Sequence, residues 1–345
     1  MKKLLMTAVI ALVLLGATVP GYMGWETQKQ MDALASYIDG MPGYSAKWVD
    51  YQRGWFNSHG RMEVGITHAQ ITPEALTLPV DFTLQHGPIL TGAGRWQLGW
   101  FDLLVHLTQD NEAYLQEMLT VQEDGPIYEM AALMALNGTT SLADRWLPAE
   151  LKFDEGLIVT QGYSGNGHIG LDRVLHYNGV LQPIVMSGDE GSAELGAVEF
   201  ELMAELARAT DVYIVPGKMT VSAESLSLRS DLPETRGQWQ LGEFTVDVTT
   251  DIDESELVNS TTLFNIASIN ASDAPALTDV SIGFNYKRIP LAFIGAYQSL
   301  AEQAPEDAGP EYWQAAMGSM VIEQLLPASP EFELSPISFT TDKGK

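Results

Sequence analysis

The sequence predicts a mainly β fold with accessory helices (α+β): a single N-terminal transmembrane helix, a large antiparallel β domain beyond it, and a helical hairpin near the C-terminus. Three observations predict it. Residues 4–25 carry no charge, apolar and polar residues alternate with period two through much of the chain from residue 62 onward, and a helical period returns between Pro290 and Pro327.

The uncharged segment has 22 positions, preceded by Lys2 and Lys3 and followed by Glu26. As a helix it measures about 33 Å, enough for a hydrocarbon core of about 30 Å, with the lysines staying cytoplasmic. Pro20, Tyr22 and Trp25 suit the interfacial end of a span. A signal-peptidase site wants small residues two places apart, but Gly24 follows Tyr22 and Ala17 follows Leu15. The expectation is an uncleaved signal anchor that sends residues 26–345 out of the cytoplasm. A cleaved signal peptide and a buried soluble helix are the alternatives.

Residues 26–345 hold 16 basic and 45 acidic side chains, a net charge of −29. That surface repels polyanions and excludes a nucleic-acid partner. Cysteine is absent, which removes disulfides, thiolate metal sites and cysteine nucleophiles. A hydrophobic content of 46% with eight tryptophans argues for an ordinary folded core, and the length allows two units.

After the span, residues 26–39 place Met31, Leu34, Ala35 and Ile38 on one helical face, ended by Gly40, Pro42 and Gly43. Met62, Val64 and Ile66, then Val80, Phe82 and Leu84, Phe244, Val246 and Val248, and Ile282, Phe284 and Tyr286 alternate with polar neighbours. These are strands with one buried and one wet face. Glycines at 92–94 and 162–167 predict turns. Residues 112–210 leave helix and buried strand open, at 128–136 and 200–209 above all. Pro290 and Pro310 open two helices, the second stopped by Pro327. Residues 94–101 and 237–244 match at six of eight positions, a hint of two related β units. The resulting divisions are 1–25 (lysines and anchor), 26–41 (juxtamembrane amphipathic helix), 42–288 (β-rich domain), 289–327 (helical hairpin) and 328–345 (terminal strand and turn).

No metal, cofactor or catalytic constellation emerges. The histidines at 59, 68, 86, 106, 168 and 176 lack helical metal spacing, although His59 and His68 could face each other across strands. Asp251, Asp253 and Glu256 resemble a calcium loop but lack its glycine and its twelfth-position glutamate. Trp48, Tyr51, Trp55 and Phe56 form an aromatic cluster, expected as a core corner with Arg53 stacked on a ring; the alternative is an apolar patch for lipid.

Tyr44-Ser45, then Val49-Asp50-Tyr51-Gln52 and Arg53-Gly54-Trp55-Phe56-Asn57-Ser58, resemble the opening motif of the YdgA-like family (domain of unknown function 945), bacterial envelope proteins with an N-terminal anchor. His86-Gly87-Pro88 resembles the family's second motif, and residues 332–341 its penultimate strand. The resemblance implies an inner-membrane, single-pass protein of a Gram-negative bacterium with its C-terminal domain in the periplasm. It supplies no catalytic residues. Relatives continue through further strands where Asp342-Lys343-Gly344 resembles a turn. The motif residues Arg53, Gly54, Trp55, Phe56, Ser58, His86, Gly87 and Pro88 are the candidate site. The expected function is a non-enzymatic envelope structural, binding or lipid-handling factor, with an anchored periplasmic hydrolase as the alternative. Expected partners are the inner membrane through residues 4–25, a lipid or envelope protein, and a second copy of the chain.

Overall fold

In the computed structural model the described residues are 2–41, 43–66, 76–91, 96–107, 119–122, 125–153, 156–210, 214–232, 236–272, 274–304 and 309–341; the side chains of 2–19, 30, 66, 76, 302, 303 and 311 are not among them. His68, the glycines at 92–94 and the turn at 342–344 therefore lie outside the described residues. Two compact units emerge: residues 1–151 with 162–171, and residues 152–161 with 172–345.

Unit 1 begins with α1 (Lys2–Asp39), one continuous helix through Pro20 and past Trp25. Among the described residues no helix is long and apolar enough to cross a membrane. Its strands are β1 (Tyr44–Arg53), β2 (Asn57–Ile66), β3 (Leu76–His86), β4 (Ile89–Leu90), β5 (Gln97–Leu107), β6 (Leu119–Val121), β7 (Tyr128–Ala135), β8 (Thr140–Trp146) and β9 (Ala149–Phe153). To these the unit adds β11 (Tyr163–Ile169), while β10 (Gly156–Thr160) belongs to unit 2. An antiparallel ladder runs β1, β2, β3, β5, β7, β8, β11. The open segment 128–136 is thus the strand β7. The glycine run at 162–167 is mostly strand, correcting the expected turn: Gly165 and Gly167 pair with Asp144 and Leu142 inside the sheet, where the ladder outweighs glycine's preference for turns.

Helix α1 lies against this sheet. Met23, Thr27, Met31 and Ala35 are buried at four-residue spacing; Met31 and Ala35 lie on the expected face, whereas Leu34 at its margin is exposed and Ile38 half-buried. Met31 joins Phe82, Leu84, Leu103 and Ala132 in the core, with Trp48 and Tyr51 packed beside them.

Unit 2 adds β12 (Val174–Leu181), β13 (Ile184–Gly188), β14 (Gly191–Leu195), β15 (Val198–Glu205), β16 (Gly217–Ala223), β17 (Leu226–Ser230), β18 (Gly237–Leu241), β19 (Phe244–Ile252), β20 (Leu257–Ala271) and β21 (Ala274–Pro290). Then come α2 (Leu291–Gln303), α3 (Pro310–Met320), a π turn (Val321–Leu325), a 3-10 turn (Leu326–Ala328) holding Pro327, and β22 (Glu331–Thr341). Residues 200–209 are resolved as strand β15 followed by a short 3-10 turn. Consecutive strands here are halves of longer ones, each broken by a two-residue joint: β12/β13, β14/β15, β16/β17 and β18/β19, the last lying end to end along β20. Hydrogen bonds bridge the joints, from Gly242 N to Ser268 O at 2.8 Å and from Ala267 N to Glu243 O at 2.8 Å. Pairing therefore continues without slip.

Candidate functional site

Strand register brings the two sequence motifs together in unit 1. Ser58 on β2 is paired with Leu84 on β3, and the His86 N–H donates to Phe56 O at 2.7 Å. Alternation then places Ser58, Leu84 and His86 on one sheet face. The Ser58 Oγ and His86 Nε2 atoms are 2.8 Å apart, hydrogen-bonded in a direction set by the imidazole tautomer. The other ring nitrogen, Nδ1, is buried with no partner among the described residues.

The helix closes over this pair through two glycines. A Cβ on Gly24 would stand 3.1 Å from the His86 ring, and one on Gly21 2.9 Å from the Trp55 ring. At three-residue spacing these positions share a helical face, so the backbone can rest directly on both rings. Arg53 Nη1 donates to Gln28 Oε1 at 3.4 Å, tying β1 to the same helix. This replaces the expected stacking of Arg53: the cation over a ring is Lys29, 3.5 Å from the Trp25 centroid. Gly54 N–H donates to Asn57 O at 2.8 Å and closes the turn between β1 and β2. Gly87 meets Gly99 and Trp100 so closely that an added Cβ would overlap the Gly99 carbonyl. Pro88 follows it, where β3 has ended.

The aromatic cluster divides. Trp48, Tyr51 and Phe82 pack edge to face or tilted, with centroids 5.1–5.6 Å apart. Trp55 and Phe56 are 54% and 61% exposed, which corrects their expected place in the core; they sit in the bend after β1, with one edge of the Trp55 ring against Gly21 of the helix.

A serine bonded to a histidine resembles a nucleophile with its base, but Ser58 is 0% and His86 1% exposed. Burial, and secondarily the nearby Arg53 charge, hold the His86 pKa below its ordinary value, so the ring is neutral at pH 7. In this geometry the pair is a buried polar clasp between β2 and β3 beneath α1. His59 instead bonds Gln52 Oε1 at 3.2 Å. Asp253 Oδ1 accepts from the N–H groups of Ser255 and Leu257 and so closes the turn between β19 and β20. Among the described residues no group of three or more His, Asp or Glu side chains is placed to hold a metal.

Unit 2 holds a different feature. Following register across seven strands, Ile337, Ile282, Phe264, Val246, Val221, Phe200 and Gly179 form one row. The parallel row is Leu334, Phe284, Thr262, Val248, Met219, Leu202 and Tyr177. Apart from Gly179 these side chains are only half-buried or are exposed. One end of the face is closed, where Ile252, Val258 and Ile289 are buried with Phe293, Ile294 and Leu325 of the helical segment.

The apolar side carries on across the joints. Leu181/Ile184, Leu195/Val198, Ala223/Leu226, Leu241/Phe244 and Ile266/Ile269 are each three residues apart in continuous register. At a joint two adjacent residues face the same neighbouring strand: the Gly242 N–H donates to Ser268 O while Glu243 O accepts from the Ala267 N–H, and Gly196 and Ala197 do the same toward Ser225 and Glu224. Alternation thus skips one step, and Ile184, Leu195, Leu226, Leu241 and Ile269 continue the apolar side past the joints. Sequence reading missed this, though apolar pairs at a spacing of three around short polar or glycine steps are a visible signal. The repeated octapeptide falls at such steps: at Leu98-Gly99-Trp100-Phe101 the partner of β5 changes from β4 to β3, with a bulge against β7, and Leu241-Gly242-Glu243-Phe244 separates β18 from β19.

The fold and site define an α+β protein in which a long N-terminal helix lies against an antiparallel sheet and a second β unit carries half-exposed apolar rows. The chain belongs to the family of bacterial proteins of unknown function DUF945, whose model matches residues 1–345. No curated protein and no solved structure matches it.

Proposed function

We propose that the protein is a single-pass inner-membrane protein with residues 26–345 in the periplasm, acting without catalysis as an envelope structural, binding or lipid-handling factor. The apolar face of unit 2 receives the acyl chain. The observation that carries this reading is the pair of half-exposed apolar rows crossing seven strands, since soluble proteins seldom leave so broad an apolar surface without a partner. The lysine-flanked uncharged segment supports the anchor, and the charge of −29 disfavours polyanions as ligands.

Organic extraction of the full-length protein from its own envelope is expected to release a stoichiometric acyl lipid, reduced by Phe264→Arg. Recovery of none would leave a scaffold or protein-binding role. Carbonate washing should leave the chain in the membrane, and a mature N-terminus near Glu26 would overturn the anchor. The competing reading, an anchored periplasmic hydrolase, draws on the Ser58–His86 hydrogen bond. Labelling by a fluorophosphonate that Ser58→Ala abolishes would favour it.

A further inference from the structure

Unit 1 contains a second apolar space, apart from the Ser58–His86 clasp. A cavity of about 480 Å³ is lined by Met23, Glu26 and Thr27 of α1 and by Trp100, Phe101 and Met134 of β5 and β7. Small-molecule sites span about 300–1,000 Å³, so one extended hydrocarbon chain is a reasonable occupant. Methionine and aromatic walls adapt to a flexible chain.

The polar atoms along this wall are mostly engaged. Thr27 Oγ1 donates to Met23 O at 2.8 Å, and Trp100 Nε1 donates to Leu136 O at 3.1 Å. The Glu26 carboxylate remains, with Lys29 Nζ 3.8 Å away and both side chains about half exposed. An ion pair that long and that exposed is weak, so either partner can exchange it for another counter-ion. One acidic and one basic group side by side match a zwitterion, with an ammonium on Glu26 and a phosphate on Lys29. A neutral apolar ligand would leave this pair unused, and an anionic lipid would face Glu26.

We propose that this cavity holds one acyl chain of an amine-headed zwitterionic phospholipid whose headgroup sits on Glu26 and Lys29. Residues 23–27 close the uncharged segment, the level at which headgroups of the outer leaflet lie if that segment spans the bilayer. The second acyl chain can then stay in the leaflet. The proposal rests on the lipid-handling reading but uses a site separate from the unit 2 face, so the two fail independently.

The test is native mass spectrometry of the full chain released from nanodiscs containing equal phosphatidylethanolamine and phosphatidylglycerol. Wild type is expected to retain phosphatidylethanolamine several-fold over the nanodisc ratio. Met134→Trp, which fills the cavity, should abolish the phosphatidylethanolamine enrichment. Glu26→Lys should shift the retained lipid towards phosphatidylglycerol. Equal retention of the two lipids by wild type overturns the headgroup assignment. Enrichment that survives both Met134→Trp and Glu26→Lys overturns the site. Because Glu26 is partly exposed and its replacement spares the core, that variant decides the matter even if Met134→Trp fails to fold.

Discussion

Phe82 in unit 1, between Asp81 and Thr83, and Phe264 in unit 2, between Leu263 and Asn265, both occupy the middle of an antiparallel strand, yet Phe82 is buried and Phe264 is half-buried. The difference is the cover. Unit 1 lays α1 along its sheet and seals it with Met23, Met31 and Ala35, whereas in unit 2 the helical segment covers the Ile252–Val258–Ile289 end of the face. Period two therefore tells which residues share a side and not whether anything lies on it.

The sharpest way to break this contrast is a pair of truncations. Phe82→Ala should cost about 3–5 kcal/mol, the usual range for a buried phenylalanine. Phe264→Ala should cost less than about 2 kcal/mol, because much of its ring area is never removed from water. Urea denaturation of the two variants measures both, and equal losses would mean that unit 2 is covered in solution.

Acid should act through unit 1. Below the ordinary histidine pKa of about 6.5 the unfolded chain takes up a proton. The folded chain resists it, because His86 is held below that value by burial and then by Arg53. The unfolded state then binds more protons, so the stability contributed is complete above the unfolded pKa and is lost as pH falls through the folded one. His86→Gln, which keeps a hydrogen-bonding partner for Ser58 but does not titrate, should flatten the fall in melting temperature between pH 8 and pH 5. An unchanged acid slope in this variant would show that the clasp does not titrate.

Smaller effects are expected at the exposed bend. Phe56→Ala should change stability by no more than about 0.5 kcal/mol, as at other surface positions. A loss of several kcal/mol on thermal melting would return Phe56 to a core. Least of all should EDTA matter: a melting shift reversed by one particular metal would reveal a site that the described residues do not show.

Much of the β architecture was legible because local alternation fixes side-chain direction within a strand, as at Val80, Phe82 and Leu84 or at Phe244, Val246 and Val248. Residues 128–136 were not, because the strand β7 has half-buried or buried residues at every position, and a short apolar run has no period with which to declare itself. The motif residues were visible as two separate strings, but the meeting of Ser58 and His86 depends on the register of β2 against β3.

By itself the sequence determined the uncharged N-terminal segment, the acidic character of the rest, the absence of cysteine chemistry, the family motifs and the dominance of antiparallel strands; each is a property of composition or of neighbours a few residues apart. The tertiary structure alone decided that Gly21 and Gly24 seat the helix on Trp55 and His86, that Trp55 and Phe56 stay exposed, and that the apolar side of unit 2 is carried across its joints. Those outcomes depend on register and on what packs above each face. Register and cover are set by residues tens of positions away, so no local pattern can encode them.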